Sequence, residues 1–195
     1  MNKNIIIISS LVIALGAGAS WVIKKADASH EIQIIKPVPE FQFVNQNGHS
    51  FSDKELKGKI SVLNFIFTSC AGPCPIMTNN MTSLYQDYVN VPEVQFISVS
   101  VDPGVDTESV LKSYADVHGV TDNRWHFLTS DIESIRTLKR DGFMLYAGEL
   151  PQGHAIKFIL IDDERNIRKY YDGTDDASMA VLRKDLNQLV KKIRF

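Results

Sequence analysis

The chain has 195 residues, a formal net charge of -2, 44% hydrophobic and 23% charged residues. That is enough apolar material for one domain with a real core, and the near-neutral balance leaves no basic footprint for nucleic acid. The two cysteines, Cys70 and Cys74, are too few for a disulfide scaffold, and their spacing points to redox chemistry or metal binding.

The N-terminus reads as a membrane or export segment. After Lys3, residues 5–23 are uncharged and mostly apolar, and Lys24 and Lys25 close the run. A stretch of that length can span a bilayer. The competing reading is a cleaved signal peptide with an Ala26-Asp27-Ala28 site, which needs an unusually long spacer after the apolar part. Length favours an uncleaved anchor over residues 1–25, which places the domain outside the cytosol: bacterial periplasm or cell surface, or the mitochondrial intermembrane space. Residues 26–39 mix charges with isolated apolar positions and contain Pro37-Val38-Pro39, so they are expected to form an extended linker. The folded domain is expected over 40–195.

Phe41 to Val44 alternate, Asn47-Gly48 signals a hairpin, and Ser52 can cap a short turn through Glu55. Residues 60–67 and 94–101 are near-continuous apolar runs, as expected for strands covered on both faces. Between them Cys74, Met77, Met81, Leu84 and Tyr88 recur at helical spacing. Asp102-Pro103-Gly104 breaks the second strand. A helix over 107–118 follows, with Asp106 or Thr107 as cap and Gly119 as stop. Residues 125–128 read as a short strand. Ser130 is the expected cap of a helix running to about Arg140, with Glu133 at the reciprocal position. Residues 156–161 and 167–171 form a hairpin, and Asp175 or Asp176 opens a last amphipathic helix. Strand–helix–strand–helix, then a hairpin and a closing helix, predicts an α/β fold. It resembles the thioredoxin-like pattern, a mixed sheet flanked by helices.

In such a sheet the loops at the carboxyl ends of parallel strands carry the site. Cys70-Ala71-Gly72-Pro73-Cys74-Pro75 leaves the first central strand there, and both prolines suit the first turn of a helix. The partial positive charge of a helix start is expected to stabilise thiolate and lower the thiol pKa. The pair can form a disulfide or share a metal, and soft thiolates select Cu(I). A good copper site needs a third ligand. His30 lies in the linker, His49 in a turn, His118 at a helix end, and His126 between Trp125 and Phe127. His154, in Leu150-Pro151-Gln152-Gly153-His154 just before the third central strand, is either a ligand or an ordinary loop histidine. Met77 and Met81 share a stripe with Leu84 and read as core. Asp102 reads as a turn opener, with an auxiliary role at the site as the alternative.

Three segments together resemble the SCO/SenC family of copper-binding cytochrome c oxidase assembly proteins. They are Phe65-Ile66-Phe67-Thr68-Ser69-Cys70-Ala71-Gly72-Pro73-Cys74-Pro75 with Met77, Ser98-Val99-Ser100-Val101-Asp102-Pro103-Gly104-Val105-Asp106-Thr107, and His154 followed by Phe158-Ile159-Leu160-Ile161-Asp162. Glu108 stands where that family usually has proline, and Ala155 where it usually has serine. The resemblance covers about residues 40 to 193 and extends to the anchor. It implies a thioredoxin-like fold and a copper site, Cu(I) or Cu(II), formed by Cys70, Cys74 and His154. It also implies a metallochaperone that serves the dinuclear copper site of cytochrome c oxidase subunit II or another periplasmic copper protein. The alternative is a membrane-anchored thiol-disulfide oxidoreductase using Cys70 and Cys74 as its redox pair. A thiol peroxidase fits less well, because no distant second cysteine exists to resolve a sulfenic acid.

Overall fold

The computed structural model describes residues 32–151 and 155–194. The apolar run 5–23, His30 and His154 therefore lie outside the described residues. Among the described residues no helix is long and apolar enough to cross a membrane. Contacts divide the chain into units 1–33 and 34–195, and of the first only Ile32 and Gln33 are described.

In chain order the described strands are β1 (Lys36–Pro37), β2 (Gln42–Asn45), β3 (Ser50–Ser52), β4 (Ile60–Ile66), β5 (Val94–Ser100), β6 (Trp125–Thr129), β7 (Lys157–Ile161) and β8 (Asn166–Asp172). The α-helices are α1 (Cys74–Asp87), α2 (Glu108–Val117), α3 (Ile132–Thr137) and α4 (Asp176–Arg194). The strands form one sheet in the order β1-β8-β7-β4-β5-β6-β2-β3. Only β4, β5 and β6 run parallel, joined through α1 and α2, while β7 pairs antiparallel with β4. This is the mixed, helix-flanked sheet that the sequence pattern predicts.

Burial explains why β4 and β5 are central. All seven side chains of each are buried, which suits only a strand covered on both faces. Alternation divides them between two cores. Leu63, Phe65, Ile97 and Val99 join Phe43, Phe51, Ile135, Leu138 and Phe143 on the face that carries α3. On the other face Tyr85 of α1 meets Phe96 and Trp125 at ring-centroid distances of 6.0 and 5.7 Å. Tyr114 of α2 meets Phe127 at 5.8 Å. Tyr171 of β8 donates to Asp185 of α4 at 2.8 Å.

Several local features depart from the sequence reading. Lys36–Pro37 lies in the stretch expected to be linker, yet it pairs with Ile167 and Asn166 as the edge strand β1. Asp131, not Ser130, caps α3, accepting the Ser134 N–H at 2.9 Å. A carboxylate one residue later wins the orphan donor. The α-helix stops at Thr137 rather than near Arg140 and widens into a π-helical turn, Leu138–Gly142. Within that turn Lys139 is fully buried, its Nζ donates to the Tyr146 carbonyl, and burial pulls its pKa down to about 8. Ser52 behaves as expected, in a reciprocal capping box with Glu55.

One polar chain crosses the α1 face of the sheet. Trp125 Nε1 donates to Ser98 Oγ at 3.0 Å, and Ser98 Oγ donates to Asn64 Oδ1 at 2.7 Å. All three residues are buried. Ser98→Ala leaves a buried indole N–H and a buried amide oxygen unpaired. It is expected to cost about 1–3 kcal/mol in urea denaturation, and a loss within experimental error would show that this chain contributes nothing.

Candidate metal centre

β4 ends at Ile66, and the chain crosses residues 67–73 before entering α1 at Cys74. The Cys70 N–H bonds the Phe67 carbonyl at 3.3 Å, which starts a tight turn. Gly72 donates its N–H to Cys70 Sγ at 3.4 Å. Pro73 sits at the N-cap of α1 and offers no side-chain cap, with Pro75 in the first turn. The sulfur of Cys70 thus accepts from the N–H two residues on, closing a small turn just before the helix. Cys70 is half-buried, whereas Cys74 is 1% exposed, and neither is in a disulfide.

The two side chains are close enough for each thiol to bear on the other's ionisation. Burial pushes the Cys74 thiol up to about 12, with smaller upward contributions from Cys70 and Asp106, while a backbone hydrogen bond at Phe67 acts in the opposite direction. This reverses the expectation of a lowered thiol pKa at a helix start. The reason is one of magnitude. A helix N-terminus favours an anion by about 0.3–1 kcal/mol, whereas a shift of several pKa units is worth about 1.4 kcal/mol per unit. Cys74 begins the helix but points into the core, where desolvation dominates.

The loop after β5 reaches this turn through Asp106. Its fully buried carboxylate accepts the Thr68 N–H at 3.1 Å, the Thr68 hydroxyl, and the Ser100 hydroxyl at 2.6 Å. Asp102, the residue that the sequence singled out in this loop, donates its backbone N–H to Ser100 Oγ at 3.1 Å. Its own carboxyl is raised by burial and by Asp106. Sequence reasoning assigned Asp106 only as a possible helix cap; Thr107 fills that role, accepting the Val110 N–H. Tyr114 was also missed. Its hydroxyl lies 2.9 Å from Thr78 Oγ1, one turn after Cys74. Burial raises its pKa, with lesser contributions from Cys74, Asp106 and Cys70, and the Thr78 hydrogen bond opposes them.

The structure thus brings Cys70 and Cys74 together. Met77 and Met81 are fully buried in the α1 stripe, as expected of core. The described histidines stand elsewhere. His49 is exposed in the β2–β3 turn, His118 ends α2 with its ring 4.6 Å from that of Tyr114, and His126 packs at 4.6 Å on Phe51. Among the described residues no group of three His, Cys, Asp or Glu side chains is placed to hold a metal ion. The Leu150–Pro151 bond, just before the undescribed 152–154, is cis.

The family model described as SCO1/SenC matches residues 31–191. The chain belongs to the SCO1/SenC family. A SCO1 protein homolog from Bacillus subtilis is 33% identical over 148 residues, covering 72% of this chain and 76% of that protein. A Stutzerimonas stutzeri protein described as copper-binding is 30% identical over 109 residues, covering 54% of this chain and 51% of its own length. Among solved structures, a SCO1/SenC family lipoprotein from Bacillus anthracis superposes with a TM-score of 0.73 at 33% identity, covering 79% of this chain and 95% of that one. BsSco, described as a member of the Sco family of cytochrome c oxidase assembly proteins with a disulfide switch, gives 0.72 at 28%, covering 82% and 96%.

The unequal exposure of the two sulfurs is directly testable. At pH 8 a thiol with a pKa of about 12 is roughly one part in ten thousand thiolate. With iodoacetamide, Cys74→Ser, which keeps Cys70, is expected to react at least ~100-fold faster than Cys70→Ser. Equal rates would contradict the buried, protonated state of Cys74.

Proposed function

We propose that this family member is a copper metallochaperone, tethered by its N-terminal segment with the domain outside the cytosol. On this reading it binds one copper through Cys70, Cys74 and His154 and delivers it to cytochrome c oxidase subunit II or another periplasmic copper protein. The observation that carries the proposal is the placement of both free cysteines at the start of α1, Cys70 half-buried and Cys74 buried. The donor set fits the metal. Two soft sulfurs, one of them almost fully buried, suit Cu(I). Asp106, the buried carboxylate of this region, already accepts bonds from Thr68 and Ser100, so it offers no ready oxygen donor to a hard cation. Family membership, the copper-binding description of the Stutzerimonas relative and the oxidase-assembly description of BsSco support the same cargo and destination. The lipoprotein relative and the apolar run 5–23 support the tether.

A ligand thiolate must be deprotonated, so copper has to displace the proton that burial keeps on Cys74. Apparent Cu(I) affinity is therefore expected to rise with pH, by about tenfold per unit for that proton. Titration of the reduced full chain against a competing Cu(I) chelator is expected to give one copper per chain. The Cys70→Ala, Cys74→Ala double variant should lose at least ~100-fold in affinity. Wild-type affinity in that variant would sink the proposal. His154→Ala should leave Cu(I) binding within about tenfold but alter the Cu(II) visible spectrum. An unchanged spectrum would remove His154 from the site.

A second reading draws on the unequal exposure of the pair. Half-buried Cys70 attacks a disulfide on a partner, forming a mixed disulfide and releasing one partner thiol. Cys74 then attacks Cys70, releasing the second partner thiol and leaving the Cys70–Cys74 disulfide. If Cys74→Ser traps such mixed disulfides while wild-type protein holds copper only weakly, thiol reduction replaces copper delivery.

A further inference from the structure

We propose that Asp106 is the positioning residue of the dithiol: its carboxylate locks the exit of β4 to the loop after β5 and so fixes Cys70 relative to Cys74. This deepens the reading of Cys70 and Cys74 as the working pair and rests on it.

The lock is built from both sides. Thr68 stands two residues before Cys70 and gives Asp106 both of its donors, the backbone N–H and the hydroxyl. On the other side the backbone N–H groups of Val105 and Asp106 bond the Asp102 carbonyl at 3.0 and 2.8 Å, closing a turn that aims the carboxylate. Ser100, the last residue of β5, donates to Asp106 and accepts from Asp102, which anchors that turn to the strand. β4 and β5 are paired up to Ile66 and Ser100, so Asp106 extends the strand registry into the loops where the ladder ends.

Burial of a carboxylate is costly unless its oxygens are hydrogen-bonded. Here three donors converge on a side chain with no exposure. An amide could not accept all three, because its nitrogen donates. The position of Asp106 outside the ligand set, oriented onto a backbone that carries a ligand, is that of the supporting residues whose loss typically weakens metal sites without removing a donor.

The test is Asp106→Asn in the full chain, read by two equilibria. Cu(I) affinity against a chelator is expected to fall by about 10–100-fold. The Cys70–Cys74 disulfide, equilibrated with glutathione, is expected to shift at least about fivefold toward the dithiol, because a misplaced Cys70 closes the bond less readily. Ser98→Ala, which breaks a buried polar chain outside the lock, should change each value by less than about threefold. A folded Asp106→Asn variant with wild-type values in both equilibria, whatever its melting temperature, overturns the proposal. If Asp106→Asn does not fold, Thr68→Val removes one of the bonds and should move both equilibria in the same directions; wild-type values there overturn it equally. If the wild-type chain takes up no Cu(I), the copper reading fails, and the glutathione equilibrium alone still decides the role of Asp106.

Discussion

Two cysteines brought together where a fully buried parallel strand turns into a helix form the constraint on which the rest of this molecule depends. β4 must be covered on both faces to end at a fixed place, which requires α3 on one side and α1, α2 and α4 on the other. Once β4 is fixed, the chain has seven residues, 67–73, in which to turn, present Cys70 and enter α1. The two prolines stiffen that passage, and the Gly72 N–H bonds the Cys70 sulfur directly.

Burial and the helix start compete at Cys74, and burial wins. The result is an asymmetric pair, with one sulfur half-exposed and the other buried and held protonated by its surroundings. Cys74 keeps its proton until a soft metal displaces it or an oxidant links the two sulfurs. Either event exchanges a buried proton for a covalent or coordinate bond at sulfur. On the proposed reading, one geometry therefore suits both copper binding and disulfide chemistry.

The parts of the fold that announce themselves in sequence are those governed by local periodicity. Apolar runs at 60–67 and 94–101, the helical stripe from Cys74 to Tyr88, and the hairpin around residues 162–166 each carry their own pattern, and each appears where expected. The parts that do not are set by long-range partners. β1 exists because Lys36 and Pro37 meet Ile167 and Asn166 across most of the chain, and nothing in residues 26–39 encodes that pairing. The π-helical turn at Leu138–Gly142 and the buried Lys139 likewise depend on Tyr146 and Phe65, which no spacing rule connects. At the site, Cys70 and Cys74 were legible because they are close in sequence and alone of their kind. Asp106 was hidden because Asp-Thr before a helix is also an ordinary capping signal, and its partner Thr68 lies 38 residues away.

X-ray absorption at the copper edge of the Cu(I)-loaded full chain tests the central claim most directly. Two sulfur scatterers in the first shell are expected for the wild-type chain, falling to one in Cys74→Ser. A wild-type shell with no sulfur, or one unchanged by Cys74→Ser, would contradict the assignment of the α1 dithiol as the metal site.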